Sequence, residues 1–275
     1  MRYGCVLSHG SPAEILELAR AADASGWDGV FTWDAISLGD SPIYDPWVMM
    51  SAIAIVTERV TIGAMVLPLA RRRPWKVAKE AITIDHLSNG RLVLPVALGV
   101  PEDRGFSGVN TDTPDRKTRA ELLDECLDIL ALAQQTDPIN YTGTHYQVTD
   151  MTIRPLPIQD RIPVWVVGAW PRPKSLARAA RWDGLILSDM SGEKTMWSPP
   201  TPEVIRSASD WIRDHRQSSP SFDIIVEGKT DGPDDTGYLQ AAAEAGATWF
   251  IESRWDNATT ESLMERIVAG PPRMA

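Results

Sequence analysis

Residues 60–99 read VTIGAMVLPLARRRPWKVAKEAITIDHLSNGRLVLPVALG. A short apolar run is followed by a turn holding Pro68 and three arginines, Arg71 to Arg73. A long helical pattern then opens at Pro74 and stops at Asn89-Gly90, and a second apolar run ends at Gly99. Proline just inside a helix start and glycine just past its end are the punctuation of a single helix. Because two parallel strands need a helical crossover between them, this stretch reads as one complete β-α-β unit. The number of times the chain repeats it then sets the architecture.

Upstream, Tyr3 to Leu7 reads as a buried strand. Ser11-Pro12-Ala13-Glu14 supplies a capping box for the helix that follows, and Gly26 ends it. Trp27 to Asp34 is a second strand, and Asp45-Pro46 starts a second helix. Downstream, Arg116 to about Gln135 is the longest helix, and residues 139–153 alternate around Thr142-Gly143 as a β-hairpin. Strands over 162–168, 183–187, 222–227 and 247–253 alternate with helices over 174–181, 201–216, 236–245 and 260–268. Three junctions, AADASGWDGVF, ARAARWDGLIL and AAAEAGATWFI, repeat one phrase, an alanine-rich helix end running into an apolar strand. Eight strands alternate with eight helices, and each strand is too continuously apolar to keep a wet face. That pattern predicts an α/β fold, a single (β/α)8 TIM barrel spanning residues 1–275 as one domain, with the hairpin inserted between strands 4 and 5. An open dinucleotide-binding sheet would want a glycine-rich turn after the first strand, and Ser8-His9-Gly10-Ser11 is not one.

Composition narrows the function. The chain has 275 residues, 43% of them hydrophobic, and a formal charge of −10. That balance opposes a nucleic-acid or anionic-membrane partner, both of which need a basic surface, and leaves a small-molecule substrate. Cys5 and Cys126 are too few for a disulfide framework and sit in apolar patterns as inert thiols. No basic and apolar leader opens the chain, and no apolar run approaches the roughly 18 residues of a membrane span, so a cytoplasmic protein is expected. No His/Cys/Asp set has metal-ligand spacing, and no GxSxG elbow is present.

Several segments together resemble one family: LGD after WDAIS, residues 45–99, the YTGTHYQV hairpin, IPVWVVGAWP, and ARAARWDGLIL. In that order they are similar to the bacterial luciferase-like flavin-dependent oxidoreductases. The resemblance implies a (β/α)8 barrel that binds FMN or a deazaflavin coenzyme in reduced form, acts by hydride transfer or oxygen insertion on a small organic substrate, and is commonly a dimer. It also implies a bulge with a non-prolyl cis peptide at Met65-Val66, backing the cofactor ring. A flavin-binding barrel without catalysis is the alternative, motivated by Ala35, which stands where many relatives carry histidine, and by the bulk of Trp170.

Barrel active sites lie at the C-terminal strand ends. The third strand delivers Ala64, Met65 and Val66 there, the fourth Gly99, and the fifth Gly168, Ala169 and Trp170, and these are the cofactor-binding candidates. The general barrel rule places a phosphate site after strands seven and eight, at Gly228-Lys229-Thr230, which adds Lys229. The resemblance instead points to the amides of residues 168–170, ahead of a helix. Asp34, at the tip of the second strand, and His9, alone among four histidines in falling at the rim, are the catalytic candidates. Trp33, Trp170 and Trp255 also fall at the rim and would line an apolar pocket. Arginines at 71–73 sit unfavourably at the positive end of a helix dipole. They need compensation from carboxylates of this acidic chain, or from a cofactor phosphate or anionic substrate.

Overall fold

In a computed structural model of the chain, residues 1–109, 115–192, 198–217, 221–256 and 258–273 are described. The strands are β1 (Arg2–Val6), β2 (Gly29–Thr32), β3 (Thr61–Ala64), β4 (Leu67–Pro68), β5 (Leu94–Ala97), β6 (Ile139–Thr142), β7 (Gln147–Met151), β8 (Val164–Trp170), β9 (Gly184–Asp189), β10 (Asp223–Gly228) and β11 (Trp249–Glu252). The helices are α1 (Pro12–Ala24), α2 (Pro46–Val56), α3 (Pro74–Leu87), α4 (Arg104–Ser107), α5 (Arg116–Ala133), α6 (Pro173–Ala180), α7 (Pro202–His215), α8 (Gly237–Glu244) and α9 (Thr260–Val268).

All strands except the β6–β7 hairpin form one parallel ladder in the order β3-β2-β1-β11-β10-β9-β8-β5-β4. β3 and β4 are two halves of one strand position, interrupted at Met65–Val66, whose peptide bond is cis. The ring closes where Ile62 N donates to Arg91 O and Val93 N to Ile62 O, both at 2.9 Å. Eight strand positions therefore make a closed barrel, and closure removes the exposed edges that an open sheet would carry. The hairpin lies between β5 and β8 as expected. Its turn is fastened to α5 by Glu125, which accepts from the amides of Thr144, His145 and Tyr146. The loop expected over 101–114 contains the short helix α4, and residues 110–114 of it lie outside the described residues. No helix among the described residues is long and apolar enough to cross a membrane.

Alternation along each strand sorts side chains into two cores. Val6, Phe31, Met65, Val93, Trp165, Ile186, Ile225, Trp249 and Ile251 face inward and fill the barrel. The opposite parity, with Cys5, Val30, Ile62, Ala64, Val166 and Leu187, packs against the helices in the larger outer core. Both cysteines are buried, and burial pushes both thiols up, Cys126 to about 12. Inside, Phe31, Trp165 and Trp249 meet at centroid distances of 5.2 to 6.3 Å and plug the barrel. Three such rings fit because glycines occupy inward positions next to them. A Cβ on Gly4 would stand 2.6 Å from Phe31 Cε2 and 2.9 Å from Ile251 Cδ1, and one on Gly184 2.5 Å from Trp165 Cδ1. Gly4→Ala should therefore overpack the barrel and lower stability by about 1–3 kcal/mol. Urea denaturation checks this, and an unchanged midpoint would show that the plug can yield.

Candidate active site

Above the aromatic plug, the C-terminal strand ends enclose a cavity of about 660 Å³, within the range of small-molecule sites. Its inner wall is apolar, with Met65, Val66, Leu98, Val167 and Ile186 among its lining, and Trp33 and Trp255 stand beside them. Of the sequence-derived candidates, His9, Asp34, Met65, Val66, Gly99 and Ala169 line this cavity, whereas Ala64, Gly168, Trp170 and Lys229 do not. Strand parity accounts for three of the four outsiders. The side chain of Ala64 faces the helices. A Cβ on Gly168 would strike Leu185 Cδ1 at 2.2 Å in the outer layer, and Trp170 packs against the outer core. Lys229 is exposed, and the loop around it is tied down elsewhere. Thr230 N donates to Glu252, the Thr230 hydroxyl pairs with the same carboxylate, and Arg254 donates to Thr230 O. That loop forms no cradle facing the cavity.

The expected amide cradle after β8 is likewise changed. Ala169 N donates to Ser175 Oγ at 3.0 Å and Arg172 N to Ala169 O at 2.8 Å, while Pro171 and Pro173 have no N–H. Side chains supply the positive charge instead. Arg116 and Arg119 of α5, Arg172 before α6 and Arg178 on α6 all line one end of the cavity. Arg178 is steadied by a two-pronged pair with Asp124 at 2.6 and 2.9 Å, and Arg119 lies over the Phe106 ring. Phe106 in turn needs Gly99, where a Cβ would fall 2.3 Å from its ring and where φ is +77°. Gly99 thus serves packing and backbone conformation as well as the cavity wall.

The three arginines after β4 find their compensation in carboxylates. Arg71 bridges Asp34 and Asp103, at 2.5 Å each, and Arg72 reaches the second oxygen of Asp34 at 2.9 Å. The Asp34 side chain is 0% exposed and that of Arg71 9%. Burial pushes the Asp34 carboxyl up, and the two guanidinium groups pull it back. Burial also opposes ionisation of Asp103, but the amides of Ser37, Gly105 and Ile36, together with Arg71, outweigh it and hold that carboxyl below its usual range. Asp103 thereby laces the loop after β2 to the loop after β5. Both Asp34 oxygens are engaged by cations, which holds the rim, while burial leaves the carboxyl raised overall.

His9 and Glu227 carry the remaining titratable chemistry. Ser8 Oγ donates to Arg254 O at 2.8 Å and lies 2.9 Å from His9 Nδ1. The single hydroxyl proton being committed, His9 Nδ1 must be the donor of that pair, which leaves Nε2 as the acceptor of the neutral ring. Glu227 was not singled out from the sequence, yet it lines the cavity from the inner face of β10. Its Oε1 accepts from Trp255 Nε1 at 2.7 Å. Burial pushes its carboxyl above the usual range, offset in part by Trp255 and the Ser253 hydroxyl. The signal was present in the strand FDIIVEG: Glu227 shares the parity of inward-facing Ile225.

Two outcomes follow. Asp34→Ala would remove the carboxylate shared by Arg71 and Arg72, leaving Arg71 with Asp103 alone, and should lower stability by about 3–5 kcal/mol, whereas Lys76→Ala, which breaks the exposed Lys76–Glu80 pair on α3, should cost less than about 1 kcal/mol. Equilibrium urea unfolding separates them. A carboxyl raised in the folded state favours folding fully below its unfolded pKa and loses that contribution as pH rises through the folded value. Glu227→Gln should therefore raise the melting temperature at pH 8, with the gain vanishing toward pH 4; an equal gain at both pH values would contradict the raised carboxyl.

The sequence profile of the luciferase-like monooxygenase family matches residues 2–197. An F420-dependent glucose-6-phosphate dehydrogenase of Beutenbergia cavernae is 28% identical over 269 residues, covering 95% of this chain and 77% of that protein. One from Microbacterium testaceum is 31% identical over 172 residues, covering 60% of this chain and 50% of its own length. Among solved structures, an F420-dependent secondary alcohol dehydrogenase in complex with an F420-acetone adduct superposes with a TM-score of 0.77 at 16% identity, covering 98% of both chains. The monooxygenase RslO1 from Streptomyces bottropensis gives 0.77 at 17% identity, covering 97% of this chain and 96% of its own. At these identities the two structures speak for the fold. The family match spans well over half the sequence and coincides with the cis Met65–Val66 interruption, the β6–β7 hairpin and the cavity above the plug: this chain belongs to the luciferase-like monooxygenase family.

Proposed function

We propose that this protein, acting as one domain over residues 1–275, is an oxidoreductase that binds a deazaflavin coenzyme of the F420 type and transfers hydride between it and a small alcohol or carbonyl compound. The observation that carries this reading is the polarity of the cavity. An apolar inner wall at Met65, Val66, Val167 and Ile186 suits a flat, uncharged ring, and the arginine end at residues 116, 119, 172 and 178 suits an anionic tail. The dependence on F420 named for the sequence relatives favours the deazaflavin over FMN. When bound, the coenzyme supplies or accepts the hydride. The chain's own part is to hold, orient and exclude water. Met65 and Val66 back the ring, Trp33 and Trp255 narrow the substrate side, and the Asp34–Arg71–Asp103 bridge fixes the loops that form the rim. The ring-facing role expected of Met65, Val66 and Gly99 is kept in this proposal, and the anion-binding role expected of residues 168–170 and Lys229 passes to the arginines. His9 remains a polar group at the mouth, and a barrel without catalysis gains no support from a cavity that holds a buried acid.

Binding tests this directly. Titrating the purified protein with oxidised coenzyme F420 and, separately, with FMN, while following tryptophan fluorescence, should give micromolar affinity for the first and at least tenfold weaker affinity for the second. Arg172→Ala should weaken F420 by about tenfold, the loss of one charge-assisted contact. Tighter binding of FMN, or no binding of either, would overturn the proposal.

A further inference from the structure

Among the described residues, three carboxylates line the cavity, Asp34, Asp103 and Glu227. Two are ion-paired to Arg71. Among the described residues, no lysine or arginine forms an ion pair with Glu227, and the side-chain groups that reach its carboxyl are neutral, the indole N–H of Trp255 and the Ser253 hydroxyl. That indole is itself fixed. Trp33 meets it edge to face at a centroid distance of 5.7 Å, and Trp33 Nε1 donates to Ser8 O at 3.2 Å. The carboxyl therefore stands in a defined place on a rigid strand, register-matched to Ile251 of β11. On the other flank, β9 brings Ile186 and Ser188 to the cavity, while Asp189 at its end is engaged by Ser191. From β11 and its loop come Ser253 and Trp255, and Arg254 is turned toward Glu252 and Thr230 O. The other titratable or charged groups on the wall are His9 after β1, Asp34 and Asp103 with their partner Arg71, and the arginines at 116, 119, 172 and 178, which come from α5 and from α6 and the residue before it. The flanking strands thus offer no cation that would hold Glu227 ionised. Ala35, which also lines the cavity, offers only a methyl group.

We infer that Glu227 is the proton-transfer residue of this cavity, giving a proton to the oxygen of a substrate carbonyl as hydride reaches its carbon. The inference rests on the hydride-transfer reading above, with the reduced deazaflavin as the hydride source. In the reduction a C–H bond of the reduced coenzyme would break with its electron pair, leaving the coenzyme oxidised, as a C–H bond forms at the carbonyl carbon; the π pair of C=O moves to oxygen, and the O–H bond of Glu227 breaks as an O–H forms on the product. The Glu227 carboxylate then regains a proton from water at the cavity mouth. In the oxidation direction the carboxylate takes the hydroxyl proton as the hydride leaves carbon. Burial of Glu227 on the apolar wall keeps its carboxyl protonated further toward neutral pH than a surface glutamate, as the reductive direction requires.

Glu227→Gln, which keeps an acceptor for Trp255, tests the role together with Glu227→Asp and His9→Gln. Each is assayed with reduced coenzyme F420 and acetone, cyclohexanone or benzaldehyde, and in parallel by infrared pH titration of the protonated carboxyl band. Glu227→Gln should lower kcat by about 100-fold or more, abolish the fall in reductive rate with rising pH, and leave F420 affinity within about twofold. It should also remove a carboxyl band that persists in the wild type above the usual glutamate range. Glu227→Asp should restore part of the rate with a pH limb, and His9→Gln should keep the limb. A wild-type band already absent at pH 5.5, or a Glu227→Gln enzyme within threefold of wild type with its pH limb intact, would overturn the inference alone. A wild type that neither binds F420 nor reduces any of the three compounds would remove the proposed function and the inference together.

Discussion

The constraint on which the rest of this structure depends is the closed ring of eight strand positions, whose interior is filled below and empty above. Closure fixes a two-residue alternation, so each side chain belongs either to the inside or to the helix layer. Phe31, Trp165 and Trp249 fill the inside at one level, with glycines at 4, 63 and 184 making room. The space at the C-terminal ends is then left to loops. Among the described residues, the loops after β2, β8 and β11 stand on strands that carry Phe31, Trp165 and Trp249 of that plug, which is how a largely loop-built site keeps its geometry.

Charge is arranged to the same end. The chain carries a formal charge of −10, yet four arginines share one end of the cavity. Such a local reversal of sign draws an anionic ligand to that end and orients it. At the rim, Arg71 and Arg72 do the opposite task, binding the protein's own carboxylates. Taking these charges out of water is costly, and the return is a fixed spacing between the loops after β2 and β5 more than net stability. Both arginine groups contribute to the same cavity but differ in what satisfies them: Asp34 and Asp103 for the first, and for Arg178 of the second, Asp124.

The fold was legible because its signals are local and redundant. The capping box at Ser11 and Glu14, the N-cap at Asp45, Pro74, and the positive-φ stop at Asn89-Gly90 all fall where the sequence places them. The strands are apolar on both faces because both faces are buried. The site was half legible, and the reason is parity. Listing consecutive residues at each strand tip gathered inward and outward side chains alike, so Met65 came with Ala64 and Ala169 with Gly168 and Trp170. Glu227 is absent from the sequence-derived candidates, although counting in twos from inward-facing Ile225 turns it inward. The proposed anion end differs from the sequence expectation for another reason. The engagement of the amides of Ala169 and Arg172 depends on Ser175 and on a turn with prolines on both sides of Arg172, and two of the arginines that line the cavity instead, Arg116 and Arg119, come from α5, about fifty residues away in sequence.

The most direct test is a crystal structure of the protein with coenzyme F420 bound. The account predicts the deazaflavin ring within the barrel mouth, one face against Met65 and Val66, its phosphate at the arginine end near Arg172, and Glu227 facing the space left for substrate. A ring bound on the outer helix layer, or a phosphate held by the loop around Lys229, would contradict it.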